Sequence, residues 1–356
     1  MQRPVTPRSI PALRRALLRW YERDGRALPW RVRPEDRARG LVPDPYAVWL
    51  SEIMLQQTTV PHATPYYRTF LERWPTVAAL AAADRDEVMA AWSGLGYYAR
   101  ARNLMACAET VAASGGVFPS NESALLILPG VGAYTAAAIR VLAFDRPANV
   151  VDGNVERVVA RLHAVETPLP RAKTELKALA GNLADPKRPG DYAQALMDLG
   201  ATVCTPRDPD CGKCPWEKWC AASAGDAPAD YPRRAPKKAR PVRRTHAYVV
   251  ERDGAVWLRR RPDRGLLGGM LEVPSSPWSA DPGRCEDHRP FAATWTLTGE
   301  VRHVFTHFTL HVSIWRAAAP SRWAPDDGGF HSRGTFADLA LPSLMRKVLR
   351  AGEETP

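Results

Sequence analysis

Residues 128 to 136 read Leu-Pro-Gly-Val-Gly-Ala-Tyr-Thr-Ala, an apolar stretch continues through Phe144, and residues 150 to 154 read Val-Val-Asp-Gly-Asn. A short helix from about Ser123, a tight turn over Pro129-Gly130-Val131-Gly132 and a second helix make a helix-hairpin-helix. Glycine has no Cβ and tolerates left-handed backbone, so Gly130 and Gly132 let the main chain come close to something bulky. The first amides of the second helix have no partner inside it and point outward, a site suited to an anion such as a DNA phosphate. Asp152 follows at the start of the next helix, where a carboxylate can stand beside whatever the hairpin holds. An aspartate there is also an ordinary N-cap.

The 356 residues are enough for two domains, each with its own core. A formal charge of +11 suits a polyanionic partner, because Lys and Arg gain affinity by releasing phosphate counterions. The same charge also serves solubility. No apolar run reaches the roughly 18 residues of a membrane span, and the arginine-bearing start lacks a signal-peptide core. The expectation is a soluble cytoplasmic protein with no membrane partner. In that compartment the six cysteines are poor disulfide candidates, and four of them, Cys204, Cys211, Cys214 and Cys220, fall within 17 residues. Their C-x6-C-x2-C-x5-C spacing can close a tetrahedral zinc site or hold an iron-sulfur cluster, and ligand count alone does not choose.

Helical spacing dominates the first part of the chain. Leu13, Leu17, Trp20 and Tyr21 mark a helix over 10–23, 27–44 reads as a loop, and Asp44-Pro45 opens a helix through Val48, Trp49, Ile53, Met54 and Leu55. Further helices are expected over 64–73, 77–82, 85–92, 98–114, 133–144, 155–163, 172–184 and 191–203. No strong alternation appears before residue 225, so residues 1–224 form an all-α domain. Residues 225–244 then carry four prolines and seven basic against two acidic residues. They read either as a solvated spacer or as a strap along DNA. Residues 245–356 form an α+β domain, with strands over 245–250 and 255–260 and a closing helix over 336–349. In the strand expected over 301–315, Val304, Thr306, Phe308, Leu310, Val312 and Ile314 share one face.

Glu52 stands out on its helix. Its neighbours three and four positions away are Val48, Trp49, Leu55 and Gln56, a mostly apolar face. Burial there disfavours the anion, and a carboxyl kept protonated near neutral pH can act as a general acid.

Several co-linear motifs tie these features together: Leu-Pro-Trp-Arg (28–31), Trp-Leu-Ser-Glu-Ile-Met-Leu-Gln-Gln-Thr (49–58), Gly-Leu-Gly-Tyr-Tyr-Ala-Arg (94–100), Val-Asp-Gly-Asn-Val (151–155) and Ala-Leu-Met-Asp-Leu-Gly-Ala (195–201). With the hairpin and the cysteine spacing, the chain resembles the MutY-type adenine DNA glycosylases of the endonuclease III superfamily over nearly its whole length. The resemblance implies a multidomain protein: an all-α helix-hairpin-helix glycosylase domain with an iron-sulfur cluster loop (204–220), followed by an α+β Nudix, or MutT-like, domain. It implies a 4Fe-4S cluster on Cys204, Cys211, Cys214 and Cys220, and a monomer working at the nucleoid on duplex DNA containing adenine:8-oxoguanine mispairs.

The resemblance also assigns roles. Glu52 protonates the adenine, Asp152 stabilises the oxocarbenium ion as the base leaves, and Asn154 helps hold the attacking water or Asp152. Bifunctional relatives carry a lysine where this chain has Tyr134; a phenol cannot form a Schiff base, so base removal without efficient strand cleavage is implied. Gly130 and Gly132 grip the backbone, and Gln57, Thr58, Leu95 and Tyr97 wedge into the duplex beside the flipped base. Trp30, Arg31 and Asp198 line the adenine pocket. Phe305-Thr306-His307 matches the 8-oxoguanine recognition loop, with threonine in place of the family's serine. Past Gly268-Gly269 the chain has only Glu272 where a Nudix hydrolase needs a helix of paired glutamates, so nucleotide hydrolysis is not implied. Two other readings of the residues stay open: a mismatch glycosylase for thymine opposite guanine, and a non-catalytic DNA-binding module.

Overall fold

A computed structural model describes residues 5–225, 227–236 and 239–352. The tether expected over 225–244 therefore lies partly outside the described residues, at Asp226, Lys237 and Lys238. The chain forms two compact units, Met1–Tyr67 with Pro75–Ala81 and Ala106–Lys237, and Arg68–Trp74 with Ala82–Met105 and Lys238–Pro356.

Helices build the first unit. They are α1 (Ile10–Asp24), α2 (Pro34–Ala38), α3 (Pro45–Met54), the start of α4 (Val60–Arg73), α5 (Val77–Ala81), the end of α7 (Ala99–Ala113), α8 (Glu122–Ile127), α9 (Ala133–Phe144), α10 (Gly153–His163), α11 (Lys173–Leu183), α12 (Pro189–Asp198) and α13 (Ala221–Ala224). The short helix α6 (Arg85–Ala91) falls in the second unit. In α3 the Asp44 side chain accepts from the Tyr46 amide at 2.9 Å and proline takes the first turn, where its missing N–H costs nothing. Nearly every later residue of α3 is buried, as in α9; helices apolar all round pack at the centre, and these two pack on each other. Asn121 caps α8, and Gly130 turns the hairpin at φ +74°.

Two segments differ from the sequence expectation. Residues 27–44, expected as loop throughout, contain α2, one short turn opened by Pro34. The helix expected over 191–203 begins at Pro189 and changes at Leu199 into a π-helical turn over Leu199–Val203, closed by the Cys204 amide on the Leu199 carbonyl at 2.7 Å. Such turns interrupt the regular ladder and re-aim the carbonyls that follow.

The second unit carries a mixed sheet of β1 (Val242–Arg252), β2 (Ala255–Arg260), β3 (Leu271–Glu272), β4 (Thr296–Val304), β5 (Thr309–Ala318) and β6 (Gly329–Ser332), in the order β3-β2-β1-β5-β4 with β6 also on β2. β1 and β5 run parallel, and the other pairs are antiparallel. The last helix, α14 (Ser343–Ala351), lays Leu344, Met345, Val348 and Leu349 on one sheet face against Leu258, Leu310, Val312 and Ile314.

The strand expected over 301–315 is a hairpin instead: β4 ends at Val304, β5 starts at Thr309, and the Phe305 amide reaches the Phe308 carbonyl at 2.9 Å. Four residues turn the chain without changing the alternation, so the pattern runs through the turn unbroken. Val304 is consequently 47 % exposed, while Leu310, Val312 and Ile314 enter the core. The closing helix starts at Ser343, not Phe336, because Pro342 keeps Leu341 out of the helical region and serves as the cap.

Candidate active site

The first unit encloses a cavity of about 620 Å³ whose lining includes Trp30, Arg31, Glu52, Gln57, Thr58, Tyr134, Asp152 and Asn154. They come from four separate stretches of the sequence, 30–31, 52–58, 134 and 152–154. Packing of α3 on α9 sets Glu52 beside the first turn that carries Tyr134, and the N-terminal end of α10 brings Asp152 and Asn154.

Glu52 is only 7 % exposed, and burial pushes its carboxyl up to about 7. A hydrogen bond from the Tyr134 hydroxyl pulls the other way, Asp152 pushes up further, and Arg31 lowers it. Burial together with the neighbouring Glu52 and Asp152 also holds the Tyr134 phenol well above its ordinary value, so it stays a neutral donor. Asp152 accepts twice: Oδ1 from the Val155 amide at 2.7 Å, and Oδ2 from Asn154 Nδ2 at 2.9 Å. One oxygen caps the helix while the side chain still lines the cavity. Asn154 is itself held, since its Oδ1 accepts from Arg157 Nη2 at 2.9 Å. Arg157 then reaches the Gly200 carbonyl, inside the π turn, at 2.6 Å and the carbonyl of Cys204, the residue that caps it, at 2.8 Å.

Asp198 does not line the cavity as expected. It is fully buried behind the wall, where Oδ2 accepts from Arg31 Nη1 at 2.8 Å and Oδ1 from Arg26 Nε at 2.7 Å. Burial works against its charge, but Arg31 and Arg26 more than offset this and hold its carboxyl below the usual range. Its contribution is to fix Arg31, whose side chain is 6 % exposed and does line the wall. Trp30 packs edge-on against Tyr67 with ring centroids 5.2 Å apart. Arg26, Gln56, Arg157 and Gln194 also line the cavity and escaped the sequence reading. Gln194 sits four residues before Asp198 on a helix whose every residue is buried; a buried glutamine in such a helix was the available signal.

Gln57 lies at the mouth with φ +57°, a strained conformation for a residue with a side chain. Thr58 bonds back to the Gln56 carbonyl at 3.4 Å. At the hairpin, a Cβ built on Gly132 would meet nothing within 4 Å, so the space beside it is open. Cys204, Cys211, Cys214 and Cys220 line a single small recess, and Arg161 Nη1 donates to the Cys204 sulfur at 3.2 Å. Among the described residues no group of His, Cys, Asp and Glu is arranged to hold a single metal ion.

The remaining expected residues lie in the second unit. Leu95 does not stand out as the expected wedge, because its side chain is buried in the core, whereas Tyr97 is 46 % exposed and its hydroxyl stands 2.7 Å from Thr306 Oγ1. Phe305 stacks on Trp278 with centroids 5.6 Å apart, and Thr306 and His307 are exposed at the tip of the β4–β5 hairpin.

A helix-hairpin-helix beside a cavity that holds a buried acid and a capping carboxylate is the arrangement of a base excision repair glycosylase, and residues 50–181 match the HhH-GPD superfamily of base excision DNA repair proteins. Residues 245–351 match the NUDIX domain. The chain belongs to the adenine DNA glycosylases: it is 36 % identical to the adenine DNA glycosylase of Mus musculus over 409 aligned positions, covering 97 % of this chain and 78 % of that one. The adenine DNA glycosylase of Homo sapiens is 35 % identical, with coverages of 96 % and 74 %. Among solved structures, a thermostable thymine-DNA glycosylase superposes with a TM-score of 0.53 at 30 % identity, covering 61 % of this chain and 97 % of that one. The protein is thus a DNA glycosylase of base excision repair. No helix among the described residues is long and apolar enough to cross a membrane.

Proposed function

We propose that the enzyme hydrolyses the N-glycosidic bond of adenine placed opposite 8-oxoguanine in duplex DNA. The observation that carries this reading is the convergence of Glu52, Tyr134 and Asp152 on one cavity, with the Glu52 carboxyl pushed up to about 7. A base flipped out of the stack enters the cavity at a cost of a few kcal/mol, eased by Gln57, Thr58 and Tyr97 filling the gap. Protonated Glu52 gives its proton to a ring nitrogen of adenine, so the base leaves as a neutral molecule. The sugar is left as an oxocarbenium ion, which the ionised Asp152 stabilises electrostatically. Water, held with Asn154, adds to the anomeric carbon and loses a proton. An acid and an anion around one glycosidic bond is the logic of glycoside hydrolysis. Trp30 and Arg31, the latter fixed by Asp198, shape the pocket for the base.

Tyr134 has no amine to attack the sugar, so the product is an intact strand with an abasic site. The hairpin amides beside Gly130 and Gly132 take a backbone phosphate. Residues 1–224 then carry the chemistry, the residues from 225 up to the start of β1 tether, and the domain that follows reads 8-oxoguanine through Phe305, Thr306 and His307. The four cysteines sharing one recess, with a guanidinium donating to one sulfur, suit a 4Fe-4S cluster, which would crosslink the loop without joining the hydrolysis. The proposal places a monomer on nucleoid DNA in the cytoplasm.

A panel of duplexes tests the specificity. Adenine opposite 8-oxoguanine should react fastest, adenine opposite guanine more slowly, and thymine opposite guanine not at all. Preferred release of thymine would replace this reading with that of a thymine glycosylase.

A further inference from the structure

The loop between α6 and α7 makes a tight turn whose strain falls on Tyr97. Gly94, Gly96 and Tyr97 have φ of +109°, +69° and +49°, three left-handed residues in four, and the last carries a bulky side chain. Such a conformation persists only where the surroundings over-determine it. Beside the contact of the Tyr97 hydroxyl with Thr306 Oγ1 at 2.7 Å, one side chain makes several of the bonds that hold the loop. Arg100 Nη2 donates to the Leu95 carbonyl at 3.0 Å and to the Gly96 carbonyl at 3.2 Å. The same guanidinium lies over the Trp92 ring at 5.2 Å and the Tyr97 ring at 5.6 Å. Trp92 adds a second donor, Nε1 to the Gly96 carbonyl at 3.1 Å. Burial lowers the Arg100 pKa to about 10, so the group keeps its charge at neutral pH while sitting partly out of water.

We propose that Arg100 is a positioning residue that holds the 94–97 loop in the shape that buries Leu95 and leaves the Tyr97 ring standing out toward DNA. A planar guanidinium can bond two carbonyls with its edge while its faces meet aromatic rings; an ammonium, a compact point charge, cannot do both. The loop is then preformed, and the ordering of its backbone is not charged to DNA binding. The inference rests on the reading that Tyr97 wedges into the duplex, and it adds what keeps the wedge erect.

The experiment uses the full chain with its cluster and compares Arg100→Met, Arg100→Lys and Tyr97→Ala. Affinity is measured on a duplex carrying uncleavable 2′-fluoro-2′-deoxyadenosine opposite 8-oxoguanine, and base release in single turnover at saturating enzyme. Melting temperature and cluster absorbance check the fold, and hydrogen exchange reads the loop amides. Arg100→Met should weaken lesion binding by about tenfold, because the ordering of the loop then falls on the binding step. The saturated rate should change less than the affinity, and the amides of 94–98 should exchange faster with those of α9 unaltered. Arg100→Lys should behave like Arg100→Met. A lysine variant that binds as wild type would show that only the charge matters and overturn the proposal. Wild-type affinity in Arg100→Met with weak binding by Tyr97→Ala overturns this inference alone, whereas wild-type binding by Tyr97→Ala removes the wedge reading and the inference with it.

Discussion

In the proposed mechanism Glu52 is the residue on which the chemistry turns, because only its protonated form can deliver a proton to the base. Its pKa of about 7 means that the acid form prevails below neutrality. The single-turnover rate should therefore be flat in mild acid and fall about tenfold per pH unit above that value, in line with general acid catalysis. The Tyr134 hydroxyl donates to the carboxylate and so favours the anion. Tyr134→Phe removes that donor, raises the Glu52 pKa and should move the alkaline limb to higher pH; a limb that stays put or moves down contradicts the assignment. Stability follows the same sign. The folded pKa lies above the ordinary value of 4.5, so the contribution of the buried neutral acid is complete below 4.5 and is lost as pH rises through about 7. Glu52→Gln, which cannot ionise, should gain in melting temperature relative to wild type between pH 5 and pH 8, and calorimetry across that range checks it.

At the scale of elements, the start of α10 caps the helix and, in the proposed mechanism, carries the anion, two jobs that substitution can separate. Asn caps a helix about as well as Asp, whereas Ala costs about 1 kcal/mol. Asp152→Asn should thus keep stability within about 0.5 kcal/mol while losing base release, and Asp152→Ala should lose both, as denaturant melts and release assays will show. The same helix marks how far the sequence could be read. Residues on one face of one element were legible: the apolar neighbours of Glu52 foretold its burial, and the glycines foretold the hairpin. Partners brought together by packing were not. Nothing near Asp198 in the chain announces Arg26 and Arg31, and nothing near Arg157 announces the carbonyls of Gly200 and Cys204. The π turn that carries the first of those carbonyls and is capped at the second leaves no mark on helical spacing. In the second unit, the turn at Phe305–Phe308 contains no Gly, Pro, Asn or Asp, so two strands looked like one. Sheet order, with β1 parallel to β5, is set by packing and could not be read from alternation.

The whole molecule brings a charge of +11 to a polyanion. Affinity for duplex DNA should drop by about 10³ to 10⁵ between roughly 50 mM and 200 mM salt if six to ten phosphates are neutralised. A titration with a flat salt response would contradict binding through the basic surface. In the proposed account charge and hairpin together grip any duplex, while the cavity decides what is done to it; a DNA-binding module would share the first property and lack the second. The measurement that separates them most directly is base release from a duplex holding one adenine opposite 8-oxoguanine, by wild type and by Glu52→Gln at equal saturation. Wild type should free adenine and leave the strand uncut until alkali is added, and the variant should bind equally yet release the base at least about 100-fold more slowly. Release by Glu52→Gln at the wild-type rate, or no release by either protein, would contradict the account.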